Sequence, residues 1–233
     1  MENRLFEYMN HRIGGDINPA GHTKEAGPLI TISRQTGCGA SHIAWSLCQE
    51  LNKRKSSAKS GGKWNMISRE ILQKSAEELN LDQASLKHVL SDKDRGIMDQ
   101  IIEALSTHAH KSDQKIFKTI QDVIMKFGTN GNVVIVGRGG AGFCSGIKQA
   151  LHIRLEAPEA WRIETIAKRL DFSKAFATEY INKNDSDRDL RVSRIIGRKP
   201  DHSMYDVAIN RSRFTEQEIV ETIIQLASIK GLI

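Results

Sequence analysis

The chain has 233 residues, 39% of them hydrophobic and 27% charged, with a formal net charge of +6. That length supports one domain with a sizeable core, and no run approaches the ~18 apolar residues of a membrane span. Three cysteines without C-x-x-C spacing argue against a disulfide framework or zinc site, and 6% aromatic content argues against a nucleic-acid surface, so the positive charge points to small polyphosphates.

Residues 1–28 read as an N-terminal arm: Gly14, Gly15, Pro19, Gly21 and Gly27-Pro28 keep most of it irregular. Its mixed polar start lacks a signal-peptide core, and with the unpaired cysteines it suggests a reducing, cytoplasmic setting. Leu29 to Ile32 is a short β-branched run, as expected of a strand buried on both faces. Gly37-Cys38-Gly39 breaks it, and from Ser41 a helical period follows in Ala44, Leu47, Cys48 and Leu51.

Strand, glycine-bearing turn and helix in that order form the layout of a phosphate-binding loop, in which main-chain N–H groups and the helix N-terminus meet the anion. Gly37, Cys38, Gly39, Ala40 and Ser41 are therefore candidates to hold a nucleotide's phosphates, with Ser41 as the Mg²⁺ ligand. Against G-x-x-x-x-G-K-[ST], Arg34 stands at the first glycine and Ala40 at the lysine. A cation–phosphate contact at about 4 Å and an effective dielectric of ~20 is worth roughly 4 kcal/mol, on the order of a thousandfold in rate. A working kinase needs another cation, and Arg34 is the nearest. Cys38 has a helix N-terminus to lower its thiol pKa, but in this loop it reads as a stand-in for serine. His42 reads as ordinary packing at the helix start.

Lys53 to Lys63 is a basic, glycine- and serine-rich linker, and Asn65 to Ser68 a short second strand. From Glu70 to Phe127 the pattern is helical, with one stripe at Ile97, Met98, Ile101, Ile102 and Leu105 and another at Ile116, Ile120, Val123, Ile124 and Phe127. This helical insert, about 69–128, leaves room for a homodimer contact. Val133 to Val136 is the plainest strand, and Gly137-Arg138-Gly139-Gly140 follows at the edge where ligands bind in open α/β sheets. Arg138 there is a candidate anion ligand, since its fork can hold a phosphate bidentately.

Leu151 to Leu155 is a fourth strand, and Pro158 opens a helix from about Glu159 to Leu170. Farther on, Arg188, Arg191 and Arg194 recur every three residues as a cationic stripe, with Asp185 and Asp187 at what reads as the start of that helix. The stripe suggests a lid, about 171–200, that closes arginines over a transferring phosphoryl group. Tyr205 to Asn210 is a fifth strand, and Thr215 caps a last helix burying Ile219, Val220, Ile223, Ile224 and Ala227. Strands alternating with helices give an α/β, three-layer fold of the P-loop NTPase kind, with a five-stranded, mainly parallel sheet, a helical insert and a helical lid.

Four stretches together resemble the cytidylate kinase-like family, relatives of the nucleoside monophosphate kinases: Ile30 to Gly39, Val134 to Gly140, Leu155 to Pro158 with Arg162, and Tyr205 to Asn210. Asp185-x-x-Arg188 looks like the family's lid signature. The resemblance implies a kinase-like domain over 29–233, ATP and Mg²⁺ as cofactors, and a small-molecule nucleotide acceptor. It places Arg138 on the acceptor monophosphate, Arg188 and Arg191 in the lid that clamps the phosphates, and Arg69 at the acceptor-site helix. Arg162 and Asp185 join the substrate-binding candidates on the same ground. Gly139 stands where true cytidylate kinases carry an aspartate. Two functions remain open: a nucleotide-dependent phosphotransferase with Arg34, Arg188 and Arg191 as its cations, or a nucleotide-binding sensor without turnover, suggested by Ala40.

Overall fold

The computed structural model describes residues 8, 27–55, 62–68 and 114–233. Most of the arm, Arg69 and the insert's 69–113 lie outside the described residues, so the proposed insert and its dimer contact do too. Strand β1, Leu29–Arg34, runs two residues past the expected end and lies at the centre of the sheet. It is flanked by β3 (Val133–Val136) and β4 (Ala150–Glu156), with β2 (Asn65–Ile67) and β5 (Val207–Asn210) outside them, in the order β2-β3-β1-β4-β5. All four pairings are parallel, where a mainly parallel sheet was expected. Parallel strands need crossovers, and those crossovers place helices on both faces.

On one face Ile30, Ile32, Val134 and Ile153 pack against α1 (Ala40–Lys55) and the C-terminal helix; the other face is covered by the helices on either side of β3 in the chain. There α2 (Gln114–Asn130) packs so that a Cβ on its Gly128 would lie 3.4 Å from Leu29, and the short α3 (Gly140–Phe143) so closely that a Cβ on Gly140 would lie 2.9 Å from Ile135. The register sets Ile32 beside Val136 and Arg34 beside Leu155, so the ends of β1, β3 and β4 share one edge.

Helix α4, Glu159–Leu170, is followed by α5, Lys174–Ile196, one continuous helix where a later start was expected. Ser173 is its N-cap and accepts the Phe176 N–H at 3.2 Å. Asp185 and Asp187 are therefore mid-helix and gain nothing from the dipole that was expected to favour them. The final helix α6, Glu216–Ile229, starts at Thr215 in a reciprocal capping box with Glu218 and buries the five apolar residues expected of it.

Candidate functional site

Two loops meet at the sheet edge. The first, Gln35 to Gly39, leaves β1 and turns into α1. Gln35 anchors it to the neighbouring strand: its N–H donates to the Leu155 carbonyl at 2.9 Å, and its Oε1 accepts the Ala157 N–H at 3.0 Å. The second, Gly137 to Gly139, leaves β3, and its Gly137 N–H donates to the Ile32 carbonyl at 3.0 Å. Three successive residues there are left-handed, with φ of 66° at Gly137, 52° at Arg138 and 73° at Gly139. For an arginine that conformation costs about 1–2 kcal/mol, so the surrounding loop must hold it.

Arg34 joins the loops. A Cβ built on Gly137 would lie 1.7 Å from the Arg34 Nη1, so the guanidinium lies across the backbone of the second loop in space that only a glycine leaves open. Between the loops is a cavity of about 570 Å³. Its wall includes Arg34, Gly37, Gly39, Ala40, Ser41, Arg138, Arg188 and Arg191, which the sequence had singled out. On α5 the wall is one helical face, Tyr180, Asn184, Asp187, Arg188, Arg191 and Val192, at spacings of four, three, one, three and one.

Cys38, Arg162 and Asp185 do not line this cavity. Cys38 is buried, and burial pushes its thiol up to about 11, with Arg162 only partly opposing; the helix N-terminus does not prevail as expected. Arg162 is buried under the first loop, where its Nε donates to the Ala157 carbonyl at 3.1 Å and its Nη1 to the Thr36 carbonyl at 3.3 Å. Its Nη1 also donates to Asp185 at 2.7 Å. Both side chains brace the loop from behind. Arg69 lies outside the described residues.

Sequence reasoning missed several wall residues. Thr36, Trp45, Arg154, Arg169 and Tyr205 also face the cavity. Arg154 pairs with Glu156 at 3.1 Å and lies 5.5 Å from the centre of the Tyr205 ring. Tyr180 and Asn184 were legible in principle, since a helix begun at Ser173 puts them on the face of Arg188 and Arg191. His42, expected as ordinary packing at the helix start, is instead exposed at the cavity wall and shares a 2.6 Å hydrogen bond with Glu216, which ties α1 to the start of α6. Burial raises the Glu216 carboxyl, but its hydrogen bonds from Ser46 and His42 outweigh that and hold it below the usual range.

Among the described residues no group of three or more His, Cys, Asp or Glu could hold a metal ion. A Mg²⁺ arriving with phosphates needs fewer protein oxygens, because it keeps phosphate and water ligands. Ser41 and Asp187 are oxygen donors in the cavity wall, and they fit that demand.

A glycine-bearing loop between a central parallel strand and a helix, facing a cation-lined cavity, defines a kinase-type P-loop protein. The chain belongs to the cytidylate kinase-like family, whose sequence profile matches residues 29–213. No curated protein matches it in sequence. Among solved structures, an uncharacterised protein from Eubacterium ventriosum ATCC 27560 is similar at 18% identity and a TM-score of 0.56, over 88% of this chain and 99% of that one. A shikimate kinase from Bacteroides thetaiotaomicron aligns at 11% identity and TM-score 0.46, over 86% of this chain and 98% of its own. A gluconokinase from Sinorhizobium meliloti 1021 aligns at 13% and 0.44, over 88% and 95%.

Proposed function

We propose that the chain is an ATP-dependent phosphotransferase whose acceptor is a small phosphorylated molecule of the nucleoside monophosphate type. The observation that carries this reading is Arg34, which ends β1 just before the first loop and lies on Gly137 of the second. A permanent cation between a phosphate-binding loop and an arginine-bearing acceptor loop can serve both phosphates, which the missing lysine would have done from Ala40.

In this reading the donor's phosphates lie along Gly37 to Ser41 and the acceptor phosphate at Arg138. Mg²⁺, held by Ser41 and the phosphate oxygens with Asp187 nearby, would supply charge neutralisation. An acceptor phosphate oxygen forms the new bond to the γ-phosphorus while the β–γ bridging bond breaks, and ADP leaves with that electron pair. Arg34, Arg188 and Arg191 meet the charge on the transferring group's equatorial oxygens, so positioning and electrostatics suffice without a covalent intermediate. Gly139, in place of the aspartate of true cytidylate kinases, supports no particular base in the acceptor. The three buried free thiols suit a reducing cytoplasmic setting.

The test is diphosphate formation from ATP, Mg²⁺ and a panel of nucleoside monophosphates. Turnover of one acceptor, lost in Arg34→Ala and Arg138→Ala with ATP binding retained in the latter, supports the assignment; equal loss of ATP binding and acceptor use in Arg138→Ala counts against it. Ala40, which places a methyl where a lysine would reach the phosphates, favours one second reading, a nucleotide sensor. ATP binding with no turnover across the panel would select it, and no ATP binding would end both.

A further inference from the structure

The Asp185 carboxylate is ringed by donors from three separate segments. It accepts the Thr36 main-chain N–H at 2.8 Å and the Thr36 hydroxyl at 2.7 Å. Arg162 Nη1 donates to its other oxygen at 2.7 Å, and Arg188 Nη1 to the first at 2.6 Å. A main-chain N–H in a glycine turn, a hydroxyl and two guanidinium groups form a set that proteins present to a phosphate. Here the anion is part of the chain.

We infer that Asp185 is a built-in anion that holds the Thr36–Gly37 turn and the Arg188 guanidinium in place, a positioning residue and not a ligand contact. The burial of its partner supports a permanent role. The Arg162 side chain is 9% exposed, so moving Asp185 away would strand a buried cation. Arg188 depends on the same knot: its Nη1 also donates to the Arg34 carbonyl and the Thr36 hydroxyl, each at 3.2 Å. Without the carboxylate, two guanidinium groups would converge on one point with nothing between them, and the Thr36 N–H would lose its acceptor. The turn should then open locally while the sheet and its helices persist.

Cys38 reports on that opening. It belongs to the loop, is 1% exposed, and shares the chain with two other buried thiols, Cys48 within α1 and Cys144 at the end of α3. In full-length Asp185→Ala, a maleimide should label Cys38 about tenfold or more faster than in the parent, with Cys48 and Cys144 still protected. Formate, small enough to enter the vacated position, should slow that labelling again, whereas chloride at equal ionic strength should not. A formate effect is one that a merely structural aspartate would not give.

Cys38 labelling unchanged from the parent would overturn the inference, as would acceleration that formate and chloride affect equally. If all three thiols open together, the milder Asp185→Asn, which keeps the shape and drops the charge, decides by selectivity alone: faster labelling of Cys38 with Cys48 and Cys144 protected supports the inference, and unchanged Cys38 labelling overturns it. The readout needs neither nucleotide nor turnover, so its failure and the failure of the phosphotransfer reading are separate results.

Discussion

The two loops at the sheet edge do similar work by opposite means. The loop after β1 is fastened by polar cross-links to elements distant in sequence: Gln35 to β4, and Thr36 to Asp185 on α5. The loop after β3 is shaped by backbone conformation and close packing, with three left-handed residues in a row and no room for a side chain at either glycine. Charge holds one and space holds the other. The first should therefore fail when a partner is removed, and the second when an atom is added.

The largest effect is expected from removing a partner of the first loop. Arg162→Met keeps the bulk and drops the charge, leaving the Asp185 carboxylate and the Thr36 carbonyl short of a buried donor. Breaking one side of a buried pair costs about 3–5 kcal/mol, which urea unfolding monitored by fluorescence should show. Loss under ~1 kcal/mol would mean that solvent reaches the knot and that charge is not what fastens the loop.

Adding an atom to the second loop should do something different. Gly137→Ala collides with Arg34 Nη1, the mobile end of a long side chain, so the arginine gives way and the fold does not. Turnover in the nucleotide assay should fall about a hundredfold, close to Arg34→Ala, while the free energy of unfolding drops only by the left-handed alanine's ~1 kcal/mol. A double variant no slower than either single would show that both act through the same guanidinium. Independent, multiplying losses would instead detach Arg34 from Gly137.

Much of this contrast could not be read from the sequence. The strand–glycine–helix order, the all-apolar Val133 to Val136 and the Thr215 cap are local patterns, and all three are present in the structure. The sheet edge followed from them, and the structure places Arg34, Ser41 and Arg138 in the wall of one cavity there. Asp185 was misplaced because an aspartate-rich run looks like a helix start, whereas Ser173 upstream caps the helix. Its attachment to Thr36 joins residues 149 positions apart, and no periodicity signals a hydrogen bond across that distance. The direction of the Arg34 side chain was likewise a tertiary fact.

A smaller effect is expected at Gly139, where the added atom meets helix α5. Its Cβ would lie 2.0 Å from Ile195 Cδ1, and a Cβ on Gly142 would lie 2.9 Å from the same side chain's Cγ2. Ile195 is thus seated on both glycines, and Gly139→Ala should cost about 1–3 kcal/mol through overpacking. Adding Ile195→Ala in the same chain should recover part of that loss. If the pair is additive in thermal unfolding, α5 does not rest on this loop.

The smallest effect uses pH to separate the two loops. His152 on β4 shares a 2.8 Å hydrogen bond with Thr31 on β1, and Thr31 lies under Gly140 of α3, on the side of the second loop. Burial lowers the His152 pKa below 6.5; Asp206 opposes this and Lys230 adds to it. A lowered value means that the unfolded chain takes the proton first as pH falls. The contribution of His152 to stability is therefore complete above pH 6.5 and declines as pH drops from there through the folded-state value. His152→Asn should remove that part of the slope when urea midpoints are compared across this range. Protonation should loosen the β3 side, so Cys144 beside α3 should gain reactivity at low pH, after correction for its own thiolate fraction, before Cys38 does. The reverse order would mean that the polar knot around Asp185, and not the packed side, is the weaker of the two.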